Sequence, residues 1–229
     1  MVWVGEGEGK HPVLVGHTGR IVDGHFDVGD VSAYPEKVCG SAAAGGLGVK
    51  VVDGSGDPVV NPIVTMSDLN ASFSCQTTTG TLGTASQKIR VDSPSNPNWT
   101  LDIRAADGAA ANWVDTIDSE DRYDFNDPSG SPSGCSDGAD ADTYAGQMSL
   151  NLAGLTFTPK TGCNNTGLSS GSSASFVEGT TDVITLLSAT GAGTGCYWDV
   201  TGIGLSETVP PQQDVADYSI DFTLTVTAS

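Results

Sequence analysis

The sequence predicts an all-β protein, an antiparallel β-sandwich with Greek-key-like connections and a long acidic loop. Three observations predict it. From about Leu47 to the end, short runs rich in Val, Ile, Thr and aromatic residues alternate with Gly, Ser, Asp and Pro punctuation. Apolar side chains rarely recur at the i, i+3, i+4 and i+7 positions of an amphipathic helix. Glycine supplies 30 of the 229 residues and hydrophobic residues only 38%, which suits many turns around a modest core.

Taken in order, the strands expected are LGVKVVD (47–53), followed by the turn-forming GSGDP, and PVVNPIVTM (58–66), which Pro62 marks as an edge strand or a kinked one. ASFSC (71–75), QKIRVD (87–92), WTLDIRA (99–105), AANWVDT (110–116) and GQMSLNLAGLTFTP (146–159) continue the pattern. SASFVE (173–178), DVITLLS (182–188), CYWDVTGIGLSETV (196–209) and YSIDFTLTVTAS (218–229) complete it. About ten strands separated by turns read as a sandwich, since two facing sheets bury what one cannot. Residues 1–44 differ in kind. They are Gly-punctuated, hold all three histidines and show neither sustained periodicity nor the apolar core of a signal peptide. They are read as an atypical amino-terminal segment, not necessarily part of the mature domain, which spans 45–229.

Charge narrows the partners. With 28 acidic against 9 basic side chains the formal net charge is −19, and no Lys/Arg cluster offers the footprint that phosphate requires, which excludes nucleic acid. Anionic membrane surfaces are disfavoured on the same ground, and no apolar run is long enough to span a bilayer. No GxSxG, HExxH or P-loop motif is present, so the reading is non-enzymatic. Five cysteines, Cys39, Cys75, Cys135, Cys163 and Cys196, are widely spaced with no CxxC pair. That pattern points to disulfides in an oxidising compartment rather than to zinc, with Cys135 and Cys163, which flank one strand region, as the first candidate pair.

The most chemically suggestive stretch is Asp115 to Asp142, where nine carboxylates face the single Arg122. Their mutual repulsion opposes folding into one loop unless a cation or solvent screens them. Calcium fits such a loop because it takes six to eight oxygens in flexible geometry, backbone carbonyls included. The candidate ligands are Asp118, Glu120, Asp124, Asn126, Asp127, Asp137, Asp140 and Asp142. The spacing is not that of an EF-hand: Pro128 falls at an alternate position and no glutamate closes the loop. A solvated acidic surface without metal is the alternative.

Two segments carry a family resemblance. Trp99-Thr100-Leu101 is a Trp-x-Leu on a predicted strand, and PPQQDVADYSIDFTLTVTAS ends the chain with Tyr218 leading an alternating strand. Together they resemble the WxL domain, a carboxyl-terminal β-rich module of bacterial surface proteins. The family's second motif runs Tyr, three residues, then Leu-Thr-Trp-x-Leu. Counted from Tyr218, Phe222 stands for the first Leu, Thr223 is kept, Leu224 stands for the Trp and Val226 for the last Leu. The resemblance covers roughly residues 49–229. It implies an extracellular protein attached non-covalently to the cell wall or to other surface proteins, with Trp99, Leu101 and Tyr218 as wall- or ligand-binding residues. A tryptophan on a central strand is also a natural core anchor. The rival expectation is a self-assembling filament or surface-layer subunit that uses strand exchange, because the terminal SIDFTLTVTAS alternates cleanly and carries one charge, Asp221.

Overall fold

The computed structural model describes residues 15–23, as backbone, and residues 46–229. It is all-β, with one 3-10 turn, Gly108–Ala110, and no α-helix among the described residues. The strands are β1 (Val15–Asp23), β2 (Gly48–Val52), β3 (Ile63–Leu69), β4 (Gln76–Leu82), β5 (Lys88–Ser93), β6 (Trp99–Ala105), β7 (Trp113–Asp115) and β8 (Arg122–Tyr123). They continue as β9 (Gln147–Asn151), β10 (Thr156–Pro159), β11 (Leu168–Ser170), β12 (Ala174–Ser175), β13 (Ile184–Ala189), β14 (Cys196–Thr201), β15 (Ile203–Val209) and β16 (Tyr218–Ala228).

Twelve strands form one sheet, whose main path runs β11-β13-β6-β16-β1-β3-β4-β15-β9-β12, with β7 pairing β16 and β8. The other four form a second sheet, β10-β14-β5-β2. Pairing is antiparallel with one exception, β1 against β16. The larger sheet curls around a common interior: Val64 and Met66 of β3, Leu82 of β4, Ile103 of β6, Trp113 of β7, Met148 of β9, Leu205 of β15 and Phe222 of β16 all line one apolar space. The smaller sheet closes over Trp99. The Trp99 and Trp198 rings meet at 5.7 Å across the two sheets, both fully enclosed, and the Trp198 indole N–H donates to the Asn164 carbonyl.

Alternation explains why these residues form these strands. In β6, Trp99, Leu101, Ile103 and Ala105 point inward while Thr100, Asp102 and Arg104 do not. In β16, Tyr218, Ile220, Phe222 and Leu224 do the same. Each fully buried aliphatic or phenyl side chain is worth roughly 1.5–3 kcal/mol, so a one-residue slip of either strand would forfeit its whole inward set.

Several expectations are corrected. The segments 146–159 and 196–209 are each two strands, not one. The first breaks between β9 and β10 and the second at Gly202, and in both cases the chain passes from one sheet to the other. ASFSC is not a strand, and its Phe73 is 89% exposed. The neighbouring QTTTGTL, with little apolar content, is β4, held by seven register pairs with β15. Pro62 lies just before β3, consistent with its missing N–H. The candidate Cys135–Cys163 disulfide does not form: Cys135 joins Cys75 and Cys163 joins Cys196, with Cα separations of 5.7 and 6.0 Å. Sequence proximity misleads here because the fold brings the 70–75 loop, remote in sequence, against residue 135. Cys39, His11 and His25 lie outside the described residues, as does most of the 1–44 segment. Its residues 15–23 form β1, between β16 and β3.

Candidate metal centre

The acidic stretch is not the single long loop that its composition suggests. Asp115 belongs to β7, residues 116–121 form the turn to β8, and residues 124–127 run beside residues 145–148. That second pairing is made by Asp124 N–H to Ala145 carbonyl, Asp127 N–H to Gly146 carbonyl and Met148 N–H to Phe125 carbonyl. Gly146 permits the approach, since its φ is +139° and a Cβ there would lie 2.0 Å from the Asp124 carbonyl oxygen.

This framework divides the carboxylates into two groups. Asp118 and Glu120 sit in the exposed β7–β8 turn, where Asp118 Oδ1 accepts the Glu120 N–H at 3.1 Å. Nearby Asp121 is pushed up in pKa by burial and then by Asp214, Asp118 and Asp115. The second group forms around Asp127, Asp137 and Asp140, each of which offers an oxygen within 4.8 Å of the others. Asp127 is fully buried and organises the loop, its Oδ1 accepting from Ser129 N–H at 2.8 Å and its Oδ2 from Gly138 N–H at 2.9 Å. The Cys75–Cys135 disulfide also anchors this loop.

Asp124 completes this group. It is 1% exposed; Oδ1 accepts from Phe125 N–H at 2.7 Å, while Oδ2 is enclosed with no hydrogen-bond donor. Its carboxyl is within hydrogen-bonding range of Asp140. Burial, chiefly, and the charges of Asp142 and Asp140 push its pKa up to about 8. Asp140 is also raised, by burial and then by Asp142 and Asp127.

Of the residues expected to hold a metal, the fold therefore brings Asp124, Asp127, Asp137 and Asp140 together, with Asp142 close enough to act on two of them. Asp118 and Glu120 belong to the other group. Asn126 turns its amide toward the 3-10 turn, donating to the Ala109 carbonyl at 2.9 Å. Glu178, between β12 and β13, joins the rim unforeseen: its N–H donates to the Asn126 carbonyl, and burial with Asp140, Asp142 and Asp182 raises its pKa. Nothing local in the sequence marks it, because the contact spans some fifty residues. A buried carboxyl of a different kind, Glu207, was also not anticipated. It faces the core from β15 next to Trp113, with Asp124 acting on its charge, and burial raises its pKa well above the usual range.

The residues of the resemblance lie elsewhere. Trp99, Leu101 and Tyr218 are wholly buried, so their side chains support the frame and present no surface to a ligand. Tyr218 accepts from Gln213 Nε2 at 2.8 Å and donates to the Asp214 carbonyl at 3.1 Å. Fold and site define a disulfide-bonded β-sandwich with a compact oxygen-rich acidic pocket. Neither a protein-family model nor a curated protein sequence matches the chain.

Proposed function

We propose that this chain is a non-catalytic binding module of a bacterial cell surface, similar to the WxL domain, that works in an extracellular, oxidising setting. The observation that carries the reading is the pairing of β6 with β16. It sets Trp99 opposite Ala228 and Leu101 opposite Val226, so the two segments that resemble the family's motifs lie side by side at the centre of the larger sheet. Two disulfides support the extracellular setting. Binding is favoured over catalysis because the four cysteines after Gly46 are cross-linked and every histidine precedes it, leaving no thiol or imidazole there to serve as nucleophile or base.

With the motif residues enclosed, contact with a wall polymer falls to exposed side chains. Phe73, 89% exposed and two residues from Cys75, offers a ring on which a sugar can stack. A second reading, self-assembly by strand exchange, is favoured by one observation. β1 alone bridges β16 and β3 among the described residues, and a strand in that slot can come from the same chain or from a neighbour.

Sedimentation with purified cell wall tests the first reading. The chain is expected in the pellet as a monomeric ligand, and Phe73→Ala is expected to move it to the supernatant with its melting curve unchanged. A chain that stays in the supernatant overturns wall binding. Concentration-dependent polymers in size exclusion, lost when residues 15–23 are deleted, would put strand exchange in its place.

A further inference from the structure

We propose that Asp124, Asp127, Asp137 and Asp140 together hold one calcium ion that pins the 128–146 loop to the sandwich. The inference stands apart from the wall-binding reading, because it rests on different residues.

Two independent observations carry it. Oxygens of Asp127, Asp137 and Asp140 converge within 4.8 Å of one another, close enough for one ion to touch all three at the 2.3–2.6 Å distances that calcium takes. Separately, Asp124 is buried to 1% exposure, with Oδ2 enclosed and undonated and its carboxyl within range of Asp140. The enclosed oxygen meets no protein donor among the described residues and lies beside a second carboxyl, and a shared cation would satisfy both.

The donor set selects the ion. All four side chains offer oxygen, which disfavours zinc, whose structural sites are built from sulfur and nitrogen. Four carboxylates in a loop rich in Gly and Ser exceed what magnesium uses, since it keeps several waters and strict octahedral geometry. The remaining calcium ligands come readily from carbonyls of the same loop. Asp127 is both ligand and organiser: each of its oxygens already accepts one backbone N–H and keeps a lone pair for the ion. Asp118, Glu120 and Asn126 play no part.

Calorimetric titration of the full chain with CaCl2, after removal of metal by EDTA, tests this. One site is expected, with a higher melting temperature in millimolar calcium than in excess EDTA at matched ionic strength. Asp137→Asn and Asp140→Asn, which change half-exposed or exposed loop side chains, are each expected to weaken binding at least tenfold. Asp118→Asn and Glu120→Gln are expected to leave it unchanged. A melting temperature that salt alone raises equally, or an equal loss in all four variants, would reduce the cluster to general screening and overturn the site. Tighter binding of magnesium or manganese than of calcium would overturn the choice of ion.

Discussion

Glu207 occupies a position of β15 that alternation assigns to the core, in line with Ile203, Leu205 and Val209. It is fully buried, and its carboxyl is held protonated well above the ordinary carboxylate range by burial, despite the indole N–H of Trp113 beside it. Because the folded state keeps a proton that the unfolded chain gives up, this group's stabilisation is fully present below the unfolded value of about 4.5 and is lost as pH rises above it. Glu207→Gln keeps the shape and removes the titration. The variant should match the parent near pH 4 and exceed it increasingly toward pH 7, by up to about 1.4 kcal/mol for each pH unit above the unfolded value. Urea melts of both proteins in EDTA at the two pH values would show it, and parallel pH curves would refute the assignment. The alternation I-x-L-x-E-x-V carries the signal that would have marked this residue, although it was not anticipated from the sequence. Asp127, Asp137 and Asp140 were legible as a local crowd of carboxylates, whereas Glu178 was not, because only tertiary folding brings β12–β13 to that crowd. The direction of the Trp99 side chain was legible only as a choice between core and surface, which burial decides.

The element scale is governed by one corner. Three chain segments pass between the sheets near each other: β4 to β5 at Gly83, β9 to β10 at Gly154 and β14 to β15 at Gly202. The Gly202 N–H donates to the Gly83 carbonyl at 2.8 Å, and a Cβ on Gly202 would come within 2.3 Å of the Gly154 carbonyl oxygen. Gly202 also holds a φ of +82°, a conformation that costs a residue with a Cβ about 1–2 kcal/mol before any clash. Gly202→Ala should therefore destabilise the fold by on the order of 2 kcal/mol or more, while Gly162→Ala, also at positive φ but with open space around it, should cost only the conformational part. Denaturant midpoints of the two variants separate clash from strain, and equal losses would mean that the corner is not close-packed. This corner is also where reading by pattern stops. Apolar periodicity runs straight through CYWDVTGIGLSETV, and it signals a strand without saying that the strand changes sheets. The β4 segment failed for the opposite reason: QTTTGTL has little to bury, and its pairing partner β15 supplies the order.

At the scale of the whole molecule, two disulfides cross-link distant parts of the chain. Cys75–Cys135 closes a loop of 60 residues and ties the 70–75 loop to the acidic pocket; Cys163–Cys196 closes one of 33 and holds the 160–167 turn against β14. In the chain-entropy account, loops of these lengths each stabilise the fold by roughly 4 kcal/mol by restricting the unfolded chain. Together that is comparable with the entire 5–15 kcal/mol by which domains are ordinarily stable. A sandwich with only 38% hydrophobic residues and a net charge of −19 has little excess to offset such a loss, since self-repulsion already opposes the compact state. Reduction should therefore lower the melting temperature by tens of degrees or unfold the chain outright. Cys163→Ser should lose part of that stability, and Cys75→Ser should in addition loosen the loop that carries Asp137 and Asp140. Melting followed by circular dichroism, with and without a reducing agent, measures the first effect, and calcium affinity in the two variants measures the second. A reduced chain that keeps its melting temperature would remove the support that the disulfides lend to the proposed oxidising setting. Equal calcium binding in Cys75→Ser and Cys163→Ser would show that the acidic pocket is held by Asp127 and its backbone partners alone.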